Sequence, residues 1–259
     1  MKIDELTLLF VIAHLLGDFY FQSQQLACQK DRHIKGVLTH SCLYAATIVT
    51  LGIGLVLLGS HWHLLLAGTL ISILHMIIDI IKFLLQVKFA ARLTPGSKGS
   101  AVMYLTDQAL HIAVIVFIIQ GCYLSWYSLP LPVFITREAL KWTLLILLNA
   151  KPANISFKKL FEKYVPDISG PEELCLAQSR HAAPQPGAGA LIGTIERFLC
   201  IIFISLGQFA AIGLIYTAKS IARFEKIGKN PRFAEYYLIG TLYSILFVLI
   251  CYYSIMKLL

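Results

Sequence analysis

The sequence predicts an all-α fold: a polytopic bundle of about six transmembrane helices with one further helix in the membrane interface. Composition is the first reason, because 58% of the 259 residues are hydrophobic and only 14% are charged, against about 25% charged in soluble domains. The mean hydropathy of +0.73 is the second. The third is that apolar residues gather in runs of about 20, the length that spans a bilayer. These observations exclude a large soluble catalytic domain.

Four apolar segments form the first predicted domain, residues 1–130. Their approximate bounds are 5–25, 35–59, 62–89 and 100–126. Lys and Arg gather in the connections after the first and third segments, and the other two connections carry none. Because cytoplasmic loops are enriched in Lys and Arg, we expect the turns near Asp31 and Gly96 in the cytoplasm and the N-terminus outside.

The predicted middle domain, residues 131–190, does not cross the membrane. Residues 134–150 form a short apolar run that carries Arg137, Glu138 and Lys141, which is typical of an amphipathic helix lying in the interface. Residues 151–189 are polar and interrupted by Pro and Gly. Since those residues break helices, we expect an extramembrane loop there.

The last predicted domain, residues 191–259, is a basic half with two spans, at residues 190–221 and 234–256. A single straight helix over the first of these spans would separate Arg197 from Arg223 by about 39 Å. We therefore expect these two side chains at opposite faces of the membrane.

Ionisable residues recur inside the four spans of the first domain, where each costs several kcal/mol and so marks a candidate functional site. They are His14, Asp18, His40, His75, Asp79, Asp107 and His111. Three His/Asp pairs among them are four residues apart, which puts both members on one helix face. With the expected topology, all seven lie about 8–20 Å from the cytoplasmic ends of their helices. This common depth predicts one shared site.

Imidazole and carboxylate without thiolate favour zinc, manganese or iron. We therefore expect these seven residues to bind a divalent transition metal, with Asp79, Asp107 and Lys82 as catalytic groups. Gln22 and Gln108 are expected to orient the ligands from outside the metal shell. The alternative is a set of structural hydrogen bonds between helices.

A basic group near the expected cytoplasmic side of the second half consists of Lys219, Arg223 and Lys226. Such residues hold the phosphate of a lipid or nucleotide through charged donors. The alternative is ordinary positive-inside anchoring.

Several segments occur in a recognisable order along the chain: HLLGDFYFQSQQLA, LTHSCLY, HMIIDIIK, TDQALH, IGTIERF, AKSIARF and EYYLIGTLYS. Together they resemble the bacterial membrane family catalogued as domain of unknown function 3307, over residues 5–245. The resemblance implies a multi-pass protein of the bacterial inner membrane and supplies no established activity. The His/Asp pairs are also similar, in residue type alone, to bacterial intramembrane metal-dependent hydrolases.

The leading hypothesis is a metal-dependent intramembrane hydrolase that acts on a lipid or a lipid-linked phosphate. One alternative is a proton- or cation-coupled transporter or channel that uses the same His/Asp cluster, with Lys82 as counter-charge to Asp79. Another is a membrane anchor that docks a soluble or membrane protein partner. Membrane lipids are expected partners and nucleic acid is not, since the positive charge lies between apolar runs. The oligomeric state stays open.

Overall fold

The structure, a computed structural model, describes residues 5–94, 96–121, 136–165 and 188–259. All regular elements in these ranges are helices, which confirms the predicted all-α class. The chain divides into two compact units, Met1–Leu148 with Ile255–Leu259 and Asn149–Ser254. The first unit therefore extends beyond the predicted boundary at residue 130.

The helices of the first unit are α1 (Glu5–Leu15), α2 (Gln24–Arg32), α3 (Ile34–Leu57), α4 (His63–Lys88), α5 (Lys98–Gly121) and α6 (Arg137–Asn149). Those of the second unit are α7 (Lys151–Phe161), α8 (Ala188–Ser205), α9 (Phe209–Ala222), α10 (Phe224–Lys229) and α11 (Pro231–Tyr253). Among the described residues, five helices are long and apolar enough to cross a membrane, namely α3, α4, α5, α8 and α11. Counting the bent pair of α1 and α2 as one span gives six. These are the helices of a multi-pass membrane protein, as predicted.

The first predicted span is bent rather than straight. A π-helical turn, Leu16–Tyr20, follows α1, and α2 leaves it at an angle of 85°. At the corner, the Gln22 amide is assigned the orientation that its neighbours favour, in which Nε2 donates to the Asp18 carbonyl oxygen at 2.8 Å and Oε1 accepts from the Ala27 backbone N–H at 3.2 Å. The Ser23 hydroxyl then caps α2 by accepting from the Leu26 N–H at 3.1 Å. The Ser23 cap satisfies a backbone N–H that has no partner at the start of α2, and Gln22 links the turn at Asp18 to the first turn of α2.

Small residues allow the membrane helices of the first unit to approach closely. At Gly52 and Gly68, which lie on α3 and α4, an added Cβ would be 3.3 Å from the facing helix. At Gly17, an added Cβ would be 2.9 Å from the Tyr44 ring. Small residues serve the same purpose in other membrane bundles, where packing replaces the hydrophobic effect. The resulting core brings α1, α3, α4 and α5 around one buried centre.

The contact of α2 with α3 depends on Gly36. A Cβ at that position would collide with the Gln29 carbonyl and lie 2.6 Å from the Lys30 backbone nitrogen. We expect Gly36→Ala to destabilise the protein by about 1–3 kcal/mol through overpacking, as measured by thermal unfolding in detergent. Gly54→Ala is the matched control on α3, because nothing lies within 4 Å of its added Cβ. Equal melting temperatures for the two variants would contradict this packing.

The middle segment contains more helix than the sequence predicts. The expected interfacial helix corresponds to α6, whose length of about 20 Å is too short to cross a bilayer of about 30 Å. Residues 151–189, expected to form a loop, begin instead with α7, and Pro152 lies in its first turn. Proline, which lacks a backbone N–H, is tolerated there because the first residues of a helix have no helical acceptor for that group. Residues 122–135 and 166–187, with the rest of the expected loop and the turn near Tyr123, lie outside the described residues.

The expected bounds of the span at residues 190–221 are wrong, because the helix ends at Ser205 and the chain reverses before Phe209. The first helix, α8, ends before Gly207, which has a φ of 70°, and glycine adopts this left-handed conformation after a helix at little cost. The next helix, α9, packs back along α8, and Lys219 Nζ lies 2.7 Å from Glu196 Oε2. Arg197 and Arg223 therefore do not mark the two ends of one membrane-spanning helix. Residues 188–259 accordingly form four helices, of which α8 and α11 are long and apolar enough to cross a membrane, in agreement with the two expected spans.

Candidate metal centre

The structure brings all seven predicted His and Asp residues together inside the first unit. They come from α1 (His14), the π-helical turn (Asp18), α3 (His40), α4 (His75 and Asp79) and α5 (Asp107 and His111). Each is at most 8% exposed. We call these seven side chains the His/Asp cluster.

Asp18 and Asp79 face each other across the middle of the cluster. His40 Nε2 lies between them, 3.1 Å from Asp18 Oδ1 and 3.5 Å from Asp79 Oδ2. Lys30 Nζ also lies between them, 2.9 Å from Asp79 Oδ2 and 3.7 Å from Asp18 Oδ1. Two buried carboxylates are thus held close together by one ammonium and one imidazole, as buried charges require.

The His75 ring is clamped between two other rings. It stacks on Tyr44 with centroids 3.6 Å apart and on His111 with centroids 4.0 Å apart. Its Nε2 lies 3.9 Å from Asp18 Oδ1, and its Nδ1 lies 3.5 Å from Asp79 Oδ2. The two nitrogens of one imidazole therefore face the two central carboxylates.

Asp107 lies at the edge of the cluster and binds the second lysine. Lys82 Nζ donates to Asp107 Oδ2 at 2.7 Å, while His111 Nε2 lies 3.4 Å from Asp107 Oδ1. The Gln108 amide donates to Asp18 Oδ2 at 3.1 Å and to Asp107 Oδ2 at 3.3 Å. Gln108 thus connects two carboxylates, and its expected role in orienting metal ligands stays a prediction. The expected pairing of Lys82 with Asp79 is wrong, since Lys82 forms an ion pair with Asp107 and Lys30 forms one with Asp79.

The remaining predicted residues have less direct positions. His14 Nδ1 lies 3.1 Å from the Tyr44 hydroxyl, and its ring centroid is 5.5 Å from that of His111. Gln22, expected to orient the ligands, instead bonds backbone atoms at the corner before α2. It therefore acts on the cluster through the backbone of the turn that carries Asp18.

Sequence reasoning missed two members of this site, Tyr44 and Lys30. Tyr44 follows His40 by four residues, so helical spacing could have found it. Lys30 lies in a polar connection whose basic residues have an ordinary explanation in topology. Its approach to Asp79 depends on the 85° bend, which hydropathy does not predict.

The cluster fits a divalent metal by geometry and by its donor set. Two groups of three ligands have donor atoms within 4.8 Å of one another: Asp18, His40 and His75, and also His75, Asp79 and His111. Ligands of a tetrahedral zinc site are about 3.3 Å apart, close to the shorter nitrogen–oxygen distances across the cluster. Both ring nitrogens of His75 and of His111 lack a hydrogen bond of good geometry among the described residues.

The two groups share His75, and that limits how they can be used. A neutral imidazole has one lone-pair nitrogen, so His75 can bind a metal in one group at a time. We interpret the groups as two arrangements of one site. His14 and Asp107, both predicted ligands, belong to neither group.

Two of the three basic residues predicted to bind phosphate have partners within the second unit. Lys219 binds Glu196, and Lys226 Nζ lies 4.6 Å from the centroid of the Phe233 ring. Arg223 is half-buried at the end of α9. Their predicted role in phosphate binding stays a prediction.

Arg197 lies buried inside the second unit, where the start of α7 meets α8. Its Nε donates to the Asn149 carbonyl at 2.7 Å, and one terminal nitrogen donates to Asn154 Oδ1 at 2.7 Å. A Cβ at Gly193 would lie 3.2 Å from its other terminal nitrogen. These bonds satisfy a helix end inside the unit and give Arg197 a structural role.

We expect Lys219→Met to destabilise the protein by about 3–5 kcal/mol, because it leaves Glu196 buried without its counter-charge. Glu196 is 6% exposed. Lys229→Met is the matched control, since Lys229 faces Glu225 at 3.7 Å on the exposed surface and such pairs contribute about 0–1 kcal/mol. The measurement is unfolding in detergent, with Lys219→Met/Glu196→Gln expected to recover part of the loss. Equal small effects of Lys219→Met and Lys229→Met would contradict the buried pair.

Comparison with known families identifies the part of the chain that carries the cluster. The family model described as "Protein of unknown function (DUF3307)" matches residues 6–139, more than half of the chain and all seven residues of the His/Asp cluster. The suggested resemblance beyond residue 139 lies outside this match. No curated protein and no solved structure matches the chain. Because this family model matches more than half of the chain, the chain belongs to the DUF3307 family.

Proposed function

We propose that the chain is a metal-dependent membrane hydrolase that cleaves a lipid phosphate or a lipid-linked phosphate at the His/Asp cluster. The observation that carries the proposal is the pair of overlapping ligand groups, buried where the four helices meet. Zinc, manganese and iron suit these ligands, because imidazole and carboxylate are present without thiolate. A metal bound there would act as a Lewis acid and would lower the pKa of a bound water toward neutral pH.

An anionic substrate is favoured by the two lysines that contact the cluster. The side chains of Lys30 and Lys82 are 12% and 19% exposed, more than any His or Asp of the cluster. Both side chains therefore reach the cluster from its margin, and from there their ammonium groups can meet a phosphate oxygen.

The residues at this margin have distinct roles in the proposed reaction. Hydrolysis forms a bond from the water oxygen to phosphorus and breaks the bond from phosphorus to the lipid oxygen, which leaves as an alcohol or a phosphate. Asp107, outside both ligand groups, accepts the proton of the attacking water and returns a proton to the departing lipid oxygen. Lys82 stabilises the charge that grows on the phosphate oxygens. Asp79 and His75 hold the metal, and Gln108 keeps Asp18 and Asp107 in place.

A second candidate function, proton- or cation-coupled transport, is favoured by the bent first helix. Broken helices beside buried charges are common at the binding sites of transporters. The Asp18 carboxylate lies in the π-helical turn at that bend. Docking of a partner protein is the third candidate function, and it predicts neither hydrolysis nor transport.

The test is to reconstitute the purified protein in liposomes and to assay two activities in parallel. One assay measures phosphate release from phosphatidate and from a polyisoprenyl diphosphate, and the other measures proton and divalent-cation flux. Release that is lost in Asp79→Asn and kept in Lys88→Gln, a change at the exposed end of α4, supports the hydrolase. Flux without release would overturn it in favour of transport, and absence of both would favour a docking protein.

We place the chain in a bacterial inner membrane with the N-terminus outside, on the distribution of Lys and Arg. In a variant without native cysteines, His61→Cys in the turn before α4 is expected to react with a membrane-impermeant thiol reagent added outside. Arg92→Cys, in the next turn, is expected to react only after permeabilisation. The reverse pattern would invert this topology.

A further inference from the structure

Lys30 occupies a position that its polar helix does not explain. No residue of α2 is buried, yet the Lys30 side chain is only 12% exposed because its ammonium enters the His/Asp cluster. There it contacts Asp79 Oδ2 and Asp18 Oδ1. These are the same two oxygens that His40 Nε2 faces at 3.5 Å and 3.1 Å. One ammonium thus sits between two carboxylates, each belonging to one of the two ligand groups.

The backbone of Lys30 is held in place independently of this contact. The corner before α2 is closed by the Gln22 side chain, and α2 lies against α3 at Gly36 with no room for a Cβ. The Lys30 side chain, in contrast, is a flexible four-carbon chain. Its ammonium can leave the cluster by rotation about side-chain bonds while α2 stays in position.

An ammonium and a divalent cation compete for the space between Asp18 and Asp79. At a separation of about 4 Å, like charges repel strongly in surroundings of low dielectric constant. Two neighbouring carboxylates without any cation would repel each other for the same reason. The pair therefore needs one cation, and a second cation between the same two oxygens would be repelled by the first.

We propose that Lys30 is an exchangeable internal cation, which holds Asp18 and Asp79 together until a divalent metal binds and displaces it. This inference rests on the metal site of the proposed function and concerns how that site is regulated. A metal that binds must then displace the Lys30 ammonium. The affinity for metal is therefore lower than it would be if the same ligands had no ammonium to release. The displaced ammonium remains at the margin of the cluster.

The test compares metal binding by the wild type, Lys30→Gln and Lys35→Gln, using calorimetric titration of the full chain in detergent with Zn²⁺ and with Mn²⁺. Glutamine removes the charge and keeps most of the side-chain length. We expect Lys30→Gln to bind at least about tenfold more tightly than the wild type, because the competing charge is gone. Lys35→Gln is the matched control, since Lys35 is exposed at the start of α3 and its removal leaves the affinity unchanged.

The outcomes separate this inference from the metal site itself. Equal or weaker binding by Lys30→Gln would overturn the exchange and leave the metal site standing. Binding by Lys30→Gln alone would support the exchange, whereas binding by neither protein would overturn both proposals.

A second measurement needs no variant and does not depend on how Lys30→Gln folds. Acetylation of wild-type lysines, followed by mass spectrometry, should show Lys30 modified severalfold faster with Zn²⁺ than with a chelator. Lys35 should react at the same rate in both conditions. Unchanged protection of Lys30 in the presence of bound metal would contradict displacement.

Discussion

Replacing His75 by alanine is expected to remove nearly all metal from the protein, with affinity falling by about 100-fold or more. Loss of a residue that only supports a ligand already costs about 10–100-fold, and His75 belongs to both ligand groups. It also fills the space between the Tyr44 and His111 rings, so its removal loosens other ligands. The measurement is elemental analysis of the detergent-purified protein after gel filtration. Full metal content in His75→Ala would show that the cluster does not hold metal through this residue.

Two further histidine variants make this result specific. His33→Ala, at an exposed position before α3, should keep the full metal content. His14→Ala should keep more metal than His75→Ala, because His14 lies outside both groups and is bonded to Tyr44. Equal loss in His14→Ala and His75→Ala would instead support the sequence-based prediction that His14 is a direct ligand.

Replacing Lys82 by methionine is expected to slow lipid-phosphate hydrolysis by about 100-fold or more while metal stays bound. Lys82 lies at the margin of the cluster, where its ammonium binds Asp107 at 2.7 Å and belongs to no ligand group. Its charge stabilises the transition state more than the ground state, so kcat should fall more than KM rises. The measurement is initial-rate kinetics in liposomes with parallel metal analysis.

Lys88→Met is the matched control for Lys82→Met, because it removes a lysine from the exposed end of the same helix. Its kcat should equal that of the wild type. If Lys82→Met keeps its turnover but changes the pH dependence of cation flux, the cluster serves transport and Lys82 balances Asp107. Loss of metal from Lys82→Met would show that the lysine positions the ligands instead.

The sequence predicted the membership of the His/Asp cluster because its evidence is local. Charged residues are rare inside membrane spans, so each of the seven was conspicuous without any tertiary information. Spacing of four residues placed His75 and Asp79, and also Asp107 and His111, on common faces. Depth counted from the helix ends then brought the four helices into register. What the cluster binds or transforms stays a prediction.

The errors arose where side chains and backbone conformation interrupt an apolar run. Hydropathy treats residues 5–25 and 190–221 as spans, since it averages over a window. Gln22 closes a sharp corner in the first run, and Gly207 reverses the chain in the second. Both effects depend on individual hydrogen bonds and dihedral angles, which an average over about 20 residues does not contain.

By itself, the sequence determined the helical class, the multi-pass architecture and the seven ionisable residues of the cluster. These follow from two free-energy costs in the bilayer core, that of leaving a backbone group without a hydrogen bond and that of burying a charged side chain. Only the tertiary structure decided which cation meets which carboxylate, with Lys30 at Asp79 and Lys82 at Asp107. Ion pairing acts over a few ångströms, whereas helix ends inferred from sequence are uncertain by several residues. The 85° bend before α2 therefore brings Lys30, a residue of a polar connection, into contact with the buried Asp79.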